Sequence, residues 1–271
     1  PKLPQDPYPR IAELRKSMRE MGLGETPIIM AGGVWYLRDW EDWIDNEELG
    51  PIAFQYGTRP LLTQESPISD GWKKKLVELC QGDISLNKFS PTGFYSSAVH
   101  NNFLRELEQR SERQIGFSQD AAGDMTAQLT VGPRGRVIFT TPEDKTRAEG
   151  WMAAGHTDGL RTPDSPDSTM IFVTHDLARE IHVDQTNCMG CLSTCRFSNW
   201  SHNESGSTGR KVDPRSYCIQ KTLQDIAHGA NDDNELMFAG HNAYKFRDDP
   251  FYSNSFVPTV RQLVDRIRTG D

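Results

Sequence analysis

Residues that could do chemistry are concentrated in two places, and the first is a cysteine run. Cys188-Met189-Gly190-Cys191-Leu192-Ser193-Thr194-Cys195 has the form C-x2-C-x3-C, and Cys218 follows after 22 more residues. Three thiols this close cannot all satisfy one another as disulfides. As thiolates they can hold three corners of a [4Fe–4S] cubane, with a distant fourth closing it. A structural zinc ion on the same four cysteines is a second reading, although all-cysteine zinc sites usually pair one C-x2-C with another. Reduced thiols without metal are a third. His182 and His202 flank the run and offer substitutes for Cys218, though each alone reads as a surface histidine. Cys80 lies far from the others in sequence and is expected to be a buried thiol.

The second place is a pair of glycine turns within residues 27–66, PIIMAGGVWYLRDWEDWIDNEELGPIAFQYGTRPLLTQES. Two short apolar runs, 28–31 and 52–56, end at Gly32-Gly33 and Gly57-Thr58, with a helix-like stretch between them. A strand that stops at such a turn and feeds a helix exposes unpaired backbone N–H groups, where the helix dipole also favours negative charge. Two such turns side by side make a phosphate cradle.

The sequence AGGV followed by FQYGTRPLLTQES resembles the nitronate monooxygenase (2-nitropropane dioxygenase) family and its relative, the flavin-dependent enoyl-ACP reductase. Pro60 departs from the pattern, standing where the family usually has an aromatic or aliphatic residue. The resemblance implies the last two strand–helix units of a flavin-binding (β/α)8 barrel, whose loops after strands seven and eight form a phosphate site. It implies that Ala31, Gly32, Gly33, Gln55, Tyr56, Gly57 and Thr58 hold FMN, with Gln55 reaching the flavin or its ribityl chain. Residues 239–243, Ala-Gly-His-Asn-Ala, are similar to the family's Ala-Gly-Gln-x-Ala turn, which would put His241 beside the flavin. The implied activity is oxidation of a nitronate or a similar small substrate with an acidic carbon, oxygen reoxidising the flavin. The family's catalytic histidine precedes strand seven. Ala153-Ala154-Gly155-His156 looks similar but follows the strand-eight motif, so the role is not carried to His156 and the base is missing from this chain.

The cysteine run is in turn similar to the cluster motif of flavin-linked reductases of the 2,4-dienoyl-CoA reductase type, whose last spacing is shorter. That similarity implies an alternative, an NAD(P)H-dependent flavin and iron–sulfur reductase in which the cluster relays electrons. A third reading, from another class, is a non-catalytic, metal-stabilised subunit or fragment that completes a barrel with another chain.

The elements that must position these residues divide the chain into an α/β part, 1–82, an α+β extension carrying the cysteines, 83–235, and a returning turn and helix, 236–271. Residues 1–9 are proline-rich and read as extended. Ile11, Leu14, Met18 and Met21 recur at helical spacing up to Gly22 and Gly24, which suit a helix end. Leu37, Trp40, Trp43 and Ile44 mark a second helix, with both tryptophans expected in the core. A third helix, 69–81, turns Trp72, Leu76 and Leu79 inward and leaves Lys73, Lys74 and Lys75 in water. A fourth spans 101–113, next to His100 in a capping or surface role. Alternation over 126–130 and 136–141 around Gly132-Pro133-Arg134-Gly135 predicts a hairpin, and 170–174 a further strand. Residues 199–211 read as a loop. The helix predicted over 216–228 turns Ile219, Leu223 and Ile226 inward and sets Cys218 near its N-terminal end, where thiolate is favoured. Val257, Val260, Val264 and Ile267 supply the last helix.

Composition bounds the rest. With 271 residues the chain can bury a core, while 36% hydrophobic residues, 22 Gly and 16 Pro predict many loops. A net charge of −8 argues against nucleic-acid binding, which draws on clustered Lys and Arg. No apolar run approaches the roughly 18–20 residues that cross a bilayer, and 1–10 lacks the apolar core of a secretory signal. A cytoplasmic setting follows, consistent with clustered free cysteines. The chain begins with Pro, and closing a (β/α)8 barrel takes about 250 residues. The expectation is a fragment, a processed product or one partner of a split enzyme, with a companion chain or upstream segment supplying the missing units.

Overall fold

A computed structural model describes residues 6–163, 168–192, 194–198, 212–230 and 232–270. In chain order the elements are α1 (Tyr8–Glu20), β1 (Ile28–Ala31), β2 (Ile52–Gln55), α2 (Asp70–Glu78), β3 (Ile84–Asn87), β4 (Ser96–Val99), α3 (Asn102–Glu112) and β5 (Gln114–Phe117). They continue with β6 (Ala127–Val131), β7 (Arg136–Thr140), α4 (Pro142–Ala153), β8 (Asp158–Thr162), β9 (Ser168–Val173), α5 (His175–Thr186), α6 (Ile219–Ala227), α7 (Lys245–Asp248) and α8 (Val260–Thr269). The chain divides into two compact units, Pro1–Asp83 with Ala239–Asp271, and Ile84–Phe238. The class is mixed α/β with small sheets. Among the described residues none of these closes into a barrel: the pairs are β1-β2, β3-β4 and β6-β7, with one three-stranded sheet, β5-β9-β8. No described helix is long and apolar enough to cross a membrane.

In the first unit, β1 and β2 run parallel, with Ile28 opposite Ile52 and Ala31 opposite Gln55, so both strands end at the same level. Their entry ends are held by Arg15, a fully buried cation in the middle of α1. Its Nε donates to Leu49 O at 2.5 Å, Nη1 to Gly24 O and Thr26 O at 2.7 Å each, and Nη2 to Pro51 O at 2.7 Å. Four carbonyls thus replace the water around a guanidinium that burial would otherwise strongly disfavour. Gly50 is required here: its φ is +63°, and a Cβ would lie 2.8 Å from Arg15 Nε.

This corrects the expected stripe of α1. Leu14 and Met21 are exposed and Ile11 and Met18 only half-buried, because the residue the helix turns inward is Arg15. The helix also starts at Tyr8, inside the stretch expected to be extended. The helix expected after β1 is instead a kinked 3₁₀ segment, Leu37–Trp43, with Trp40 at φ −127°. Three residues per turn bring Trp40 and Trp43 onto one side, where their rings meet edge to face at 5.0 Å. Both are half-buried; the core tryptophans of this unit are Trp35 and Trp72.

Helix α2 forms as expected, capped by Ser69, whose Oγ accepts from Trp72 N at 3.0 Å, with Trp72, Leu76 and Leu79 buried. Cys80, expected to be buried, is exposed. The chain leaves the helix at Leu79, and Cys80 N donates to Asp83 Oδ2 at 2.8 Å, turning the side chain outward to meet Arg247 Nη1 at 2.7 Å. In α8 a Thr259–Gln262 capping box fixes the start, and Leu263 and Ile267 face inward. Val260 and Val264 are exposed, contrary to the predicted stripe.

Buried Asp249 gathers this unit. Its Oδ2 accepts from Trp35 Nε1 at 2.9 Å and from Tyr36 Oη, and its Oδ1 from Phe251 N at 3.0 Å and Arg266 Nη2 at 3.2 Å. Arg59 stands 3.9 Å away and donates to Trp35 O and to Tyr252 Oη.

The second unit has its main core where the predicted β6–β7 hairpin meets the β5-β9-β8 sheet. Ile115, Leu129, Val131, Ile138 and Phe172 pack there with Ala148 of α4. A second core joins Leu104 and Leu107 of α3 to Phe89, Tyr217 and Leu236. Asn101 caps α3, and His100 lies on the surface 2.8 Å from Glu108. On α6, Thr222 and Ile226 are buried and Leu223 is exposed, so the buried face is narrower than predicted. The predicted loop 199–211 lies outside the described residues, as does His202.

Burial raises the Asp249 pKa, but the hydrogen bonds from Tyr36, Phe251 N, Trp35 and Arg266 outweigh it and hold the carboxyl below its ordinary value. A depressed folded pKa contributes stability above the unfolded value, about 3.9 for Asp, that is lost as pH falls through the folded value. Asp249→Asn is expected to cost about 3–5 kcal/mol at pH 7, as breaking a buried charge pair does. Urea denaturation from pH 7 downward should show the gap between wild type and variant closing below the ordinary carboxylate range; a gap constant with pH would refute the assignment.

Candidate functional site

Because β1 and β2 are parallel and in register, the turns that follow them lie side by side. Gly32 and Gly33 have φ of +83° and +79°, which glycine adopts without penalty. A cavity of about 260 Å³ opens at this edge, lined by Ala31, Gly32, Gly33, Gln55, Tyr56, Gly57 and Thr58. Seven of the eight residues proposed from sequence as flavin contacts are thereby brought to one place. A Cβ built on Gly32 or Gly57 would meet no protein atom within 4 Å, so both glycines border open space.

A third turn closes the wall. Gly240 N donates to Thr58 Oγ1 at 2.8 Å, and Asn242 Nδ2 donates to Gly33 O at 3.0 Å, so residues 240–243 are fastened to both glycine turns. Gly240, Asn242 and Ala243 line the cavity. His241, at the start of the 3₁₀ segment His241–Tyr244, is exposed and is not among the lining residues.

Sequence reasoning missed Val34, Trp35, Arg59 and Asn242, which also line the cavity. Arg59 is buried with its guanidinium 4.5 Å above the Trp35 ring, and its N–H groups are directed to Trp35 O and Tyr252 Oη. It therefore supports the wall. Its partners Asp249 and Tyr252 lie about two-thirds of the chain away, so no local signal marked it. The Tyr56 hydroxyl is buried without a hydrogen-bond partner, and burial raises its pKa.

The four clustered cysteines occupy the second unit, where Cys188, Cys191, Cys195 and Cys218 all line one cavity of about 170 Å³. Cys195 is buried, Cys188 and Cys218 are half-buried and Cys191 is exposed. Cys188 Sγ accepts from Ser198 Oγ at 2.8 Å and from Gly190 N at 3.4 Å. Among the described residues, no three His, Cys, Asp or Glu side chains stand close enough to hold a single metal ion. His182 is exposed on α5. Cys218 is the N-cap of α6 as expected, yet its thiol is pushed up: burial outweighs the hydrogen bonds from the Lys221 and Gln220 amides. His156 lies in this same unit, its pKa lowered by burial and by Arg113.

Compared with protein-family models, curated proteins and solved structures, the chain matches none of them.

Asn242→Ala should lower the stability of the first unit by about 1 kcal/mol, the usual net worth of one hydrogen bond. Tyr56→Phe should leave it unchanged or raise it by up to ~1 kcal/mol, because it removes an unsatisfied buried hydroxyl. Chemical denaturation of both variants measures this. A larger loss for Tyr56→Phe than for Asn242→Ala would mean that the hydroxyl has a partner.

Proposed function

We propose that the first unit carries the FMN phosphate site of a flavin-dependent oxidoreductase of the nitronate monooxygenase type, acting on a nitronate or a similar small substrate with an acidic carbon. The observation that carries this reading is the convergence of two parallel strand ends, Gly32-Gly33 and Gly57-Thr58, on one cavity closed by the 240–243 turn. The residues fit the group in that Gly32 and Gly57 leave clear the volume that a phosphate at backbone distance needs. The flavin would supply the electron transfer chemistry. The protein's part is to bind phosphate through the turn amides, to orient the cofactor through Gln55 and Tyr56, and to hold the turns rigid through Asn242 and Arg59.

On this reading β1 and β2 are neighbouring strands of a (β/α)8 barrel, and a companion chain or further segment continues the sheet. Parallel sheets are normally covered on both faces, whereas Ile29 of β1 is 63% exposed, and Leu14 on α1 and Met21 at its C-cap are 45% and 64% exposed. A second reading, an NAD(P)H-dependent flavin and iron–sulfur reductase, is favoured by the gathering of all four clustered cysteines on one cavity.

FMN titration followed by quenching of flavin fluorescence tests the proposal. Saturable binding is expected, with riboflavin at least tenfold weaker because it lacks the phosphate. Gly32→Val and Gly57→Val should each weaken FMN binding more than tenfold. Equal affinity for riboflavin and FMN, or no loss in either variant, would overturn the site. With FMN bound, oxygen consumption on an alkyl nitronate against NAD(P)H oxidation separates the two oxidoreductase readings.

A further inference from the structure

We propose that the four-cysteine cavity of the second unit takes a [4Fe–4S] cluster and not a single zinc ion. The inference is independent of the flavin site, which lies in the other unit. It starts from selection: of five cysteines, the four that line one cavity come from two separate segments, the 188–195 run and the N-cap of α6, and Cys80 lies in the other unit. Sequence proximity explains three of these thiols. Cys218 joins them only because the chain folds back.

The ligand pattern favours a cluster over an ion: one run supplies three thiols and a distant residue the fourth, where all-cysteine zinc sites usually pair one C-x2-C with another. A tetrahedral zinc site draws four sulfurs to about 2.3 Å from one point, and so to roughly 3.8 Å from one another. In a cubane each thiolate binds a different iron, so the sulfurs stand further apart around a central volume. Four cysteines line one cavity of about 170 Å³. The walls are mixed: Phe197 and Ile219 line the cavity together with Asp184 and Lys221. Cys188 Sγ already accepts from the Ser198 hydroxyl and the Gly190 amide, and hydrogen bonds to sulfur are one means by which proteins hold and tune such clusters. Binding forms one Fe–S bond per cysteine and releases the thiol proton to solvent.

The test uses the full chain purified under anaerobic conditions, before and after loading with ferric iron, a thiol reductant and sulfide, followed by desalting. About four iron and four sulfide per chain, with visible absorption bleached by dithionite, are expected. Cys191→Ser should lower retained iron at least severalfold while leaving the far-ultraviolet circular dichroism unchanged, since Cys191 is exposed. Cys80→Ser, outside the cavity, should leave iron content as in the wild type. Zinc at one per chain that resists displacement during loading would overturn the proposal, as would failure to retain iron and sulfide after loading. Equal iron in Cys191→Ser and Cys80→Ser would also overturn it.

Discussion

The first unit depends on one buried carboxylate. Asp249 receives hydrogen bonds from Trp35, Tyr36, Phe251 and Arg266, with Arg59 alongside, and these residues come from both ends of the chain. Trp35 follows the first glycine turn by two residues and Arg59 adjoins the second. Arg59 also donates to Trp35 O. The two turns are therefore positioned by a shared polar network and not by strand pairing alone. A network of this kind is rigid because each member left unpaired in a low-dielectric setting is costly. The cavity edge inherits that rigidity, which a phosphate site made of backbone amides needs, since amides cannot reorient as side chains do.

A second buried charge performs the same task at the opposite end of the strands. Among the described residues, the donors of Arg15 end on four carbonyls and no carboxylate: those of Gly24, Thr26, Leu49 and Pro51, at the approaches to β1 and β2. A two-stranded parallel sheet has little pairing energy of its own. Here its entry ends are tied by a guanidinium and its exit ends by the Asp249 network, so the short strands are held at both limits. Gly50 shows how closely this is packed, since no Cβ fits against Arg15.

These two networks mark the limit of what was legible in the sequence. Local signals read correctly: the helix beginning at Ser69, Gly132 to Gly135 as the hairpin turn, and the two glycine turns as ends of short strands. The misread positions share a cause. Leu14, Val260 and Val264 were assigned to the core by periodicity, which assumes that the apolar side of a helix faces inward. In α1 the inward position belongs to a cation satisfied by carbonyls 9 to 36 residues away. In α8 the buried face is set by Leu263 and Ile267, with Arg266 directed to Asp249. Long-range polar satisfaction leaves no period in a sequence. The same holds for Asn242 at the candidate site: its contact with Gly33 spans 209 residues.

The two candidate sites differ in how much of their geometry the chain supplies unaided. The glycine cradle is fixed by covalent and hydrogen-bonded constraints: positive φ at Gly32 and Gly33, and clamps from Gly240 and Asn242. The cysteine cavity is only approximately set. One thiol is buried, one exposed, and burial with mutual repulsion pushes Cys191 toward its protonated form. That contrast follows from the chemistry each would serve. Amides recognising an anion must be preset, because their orientation is the source of the binding. Thiols form strong bonds to metal that can draw loosely placed ligands inward and displace their protons, so a cavity with room and four sulfurs at its wall is a sufficient starting state.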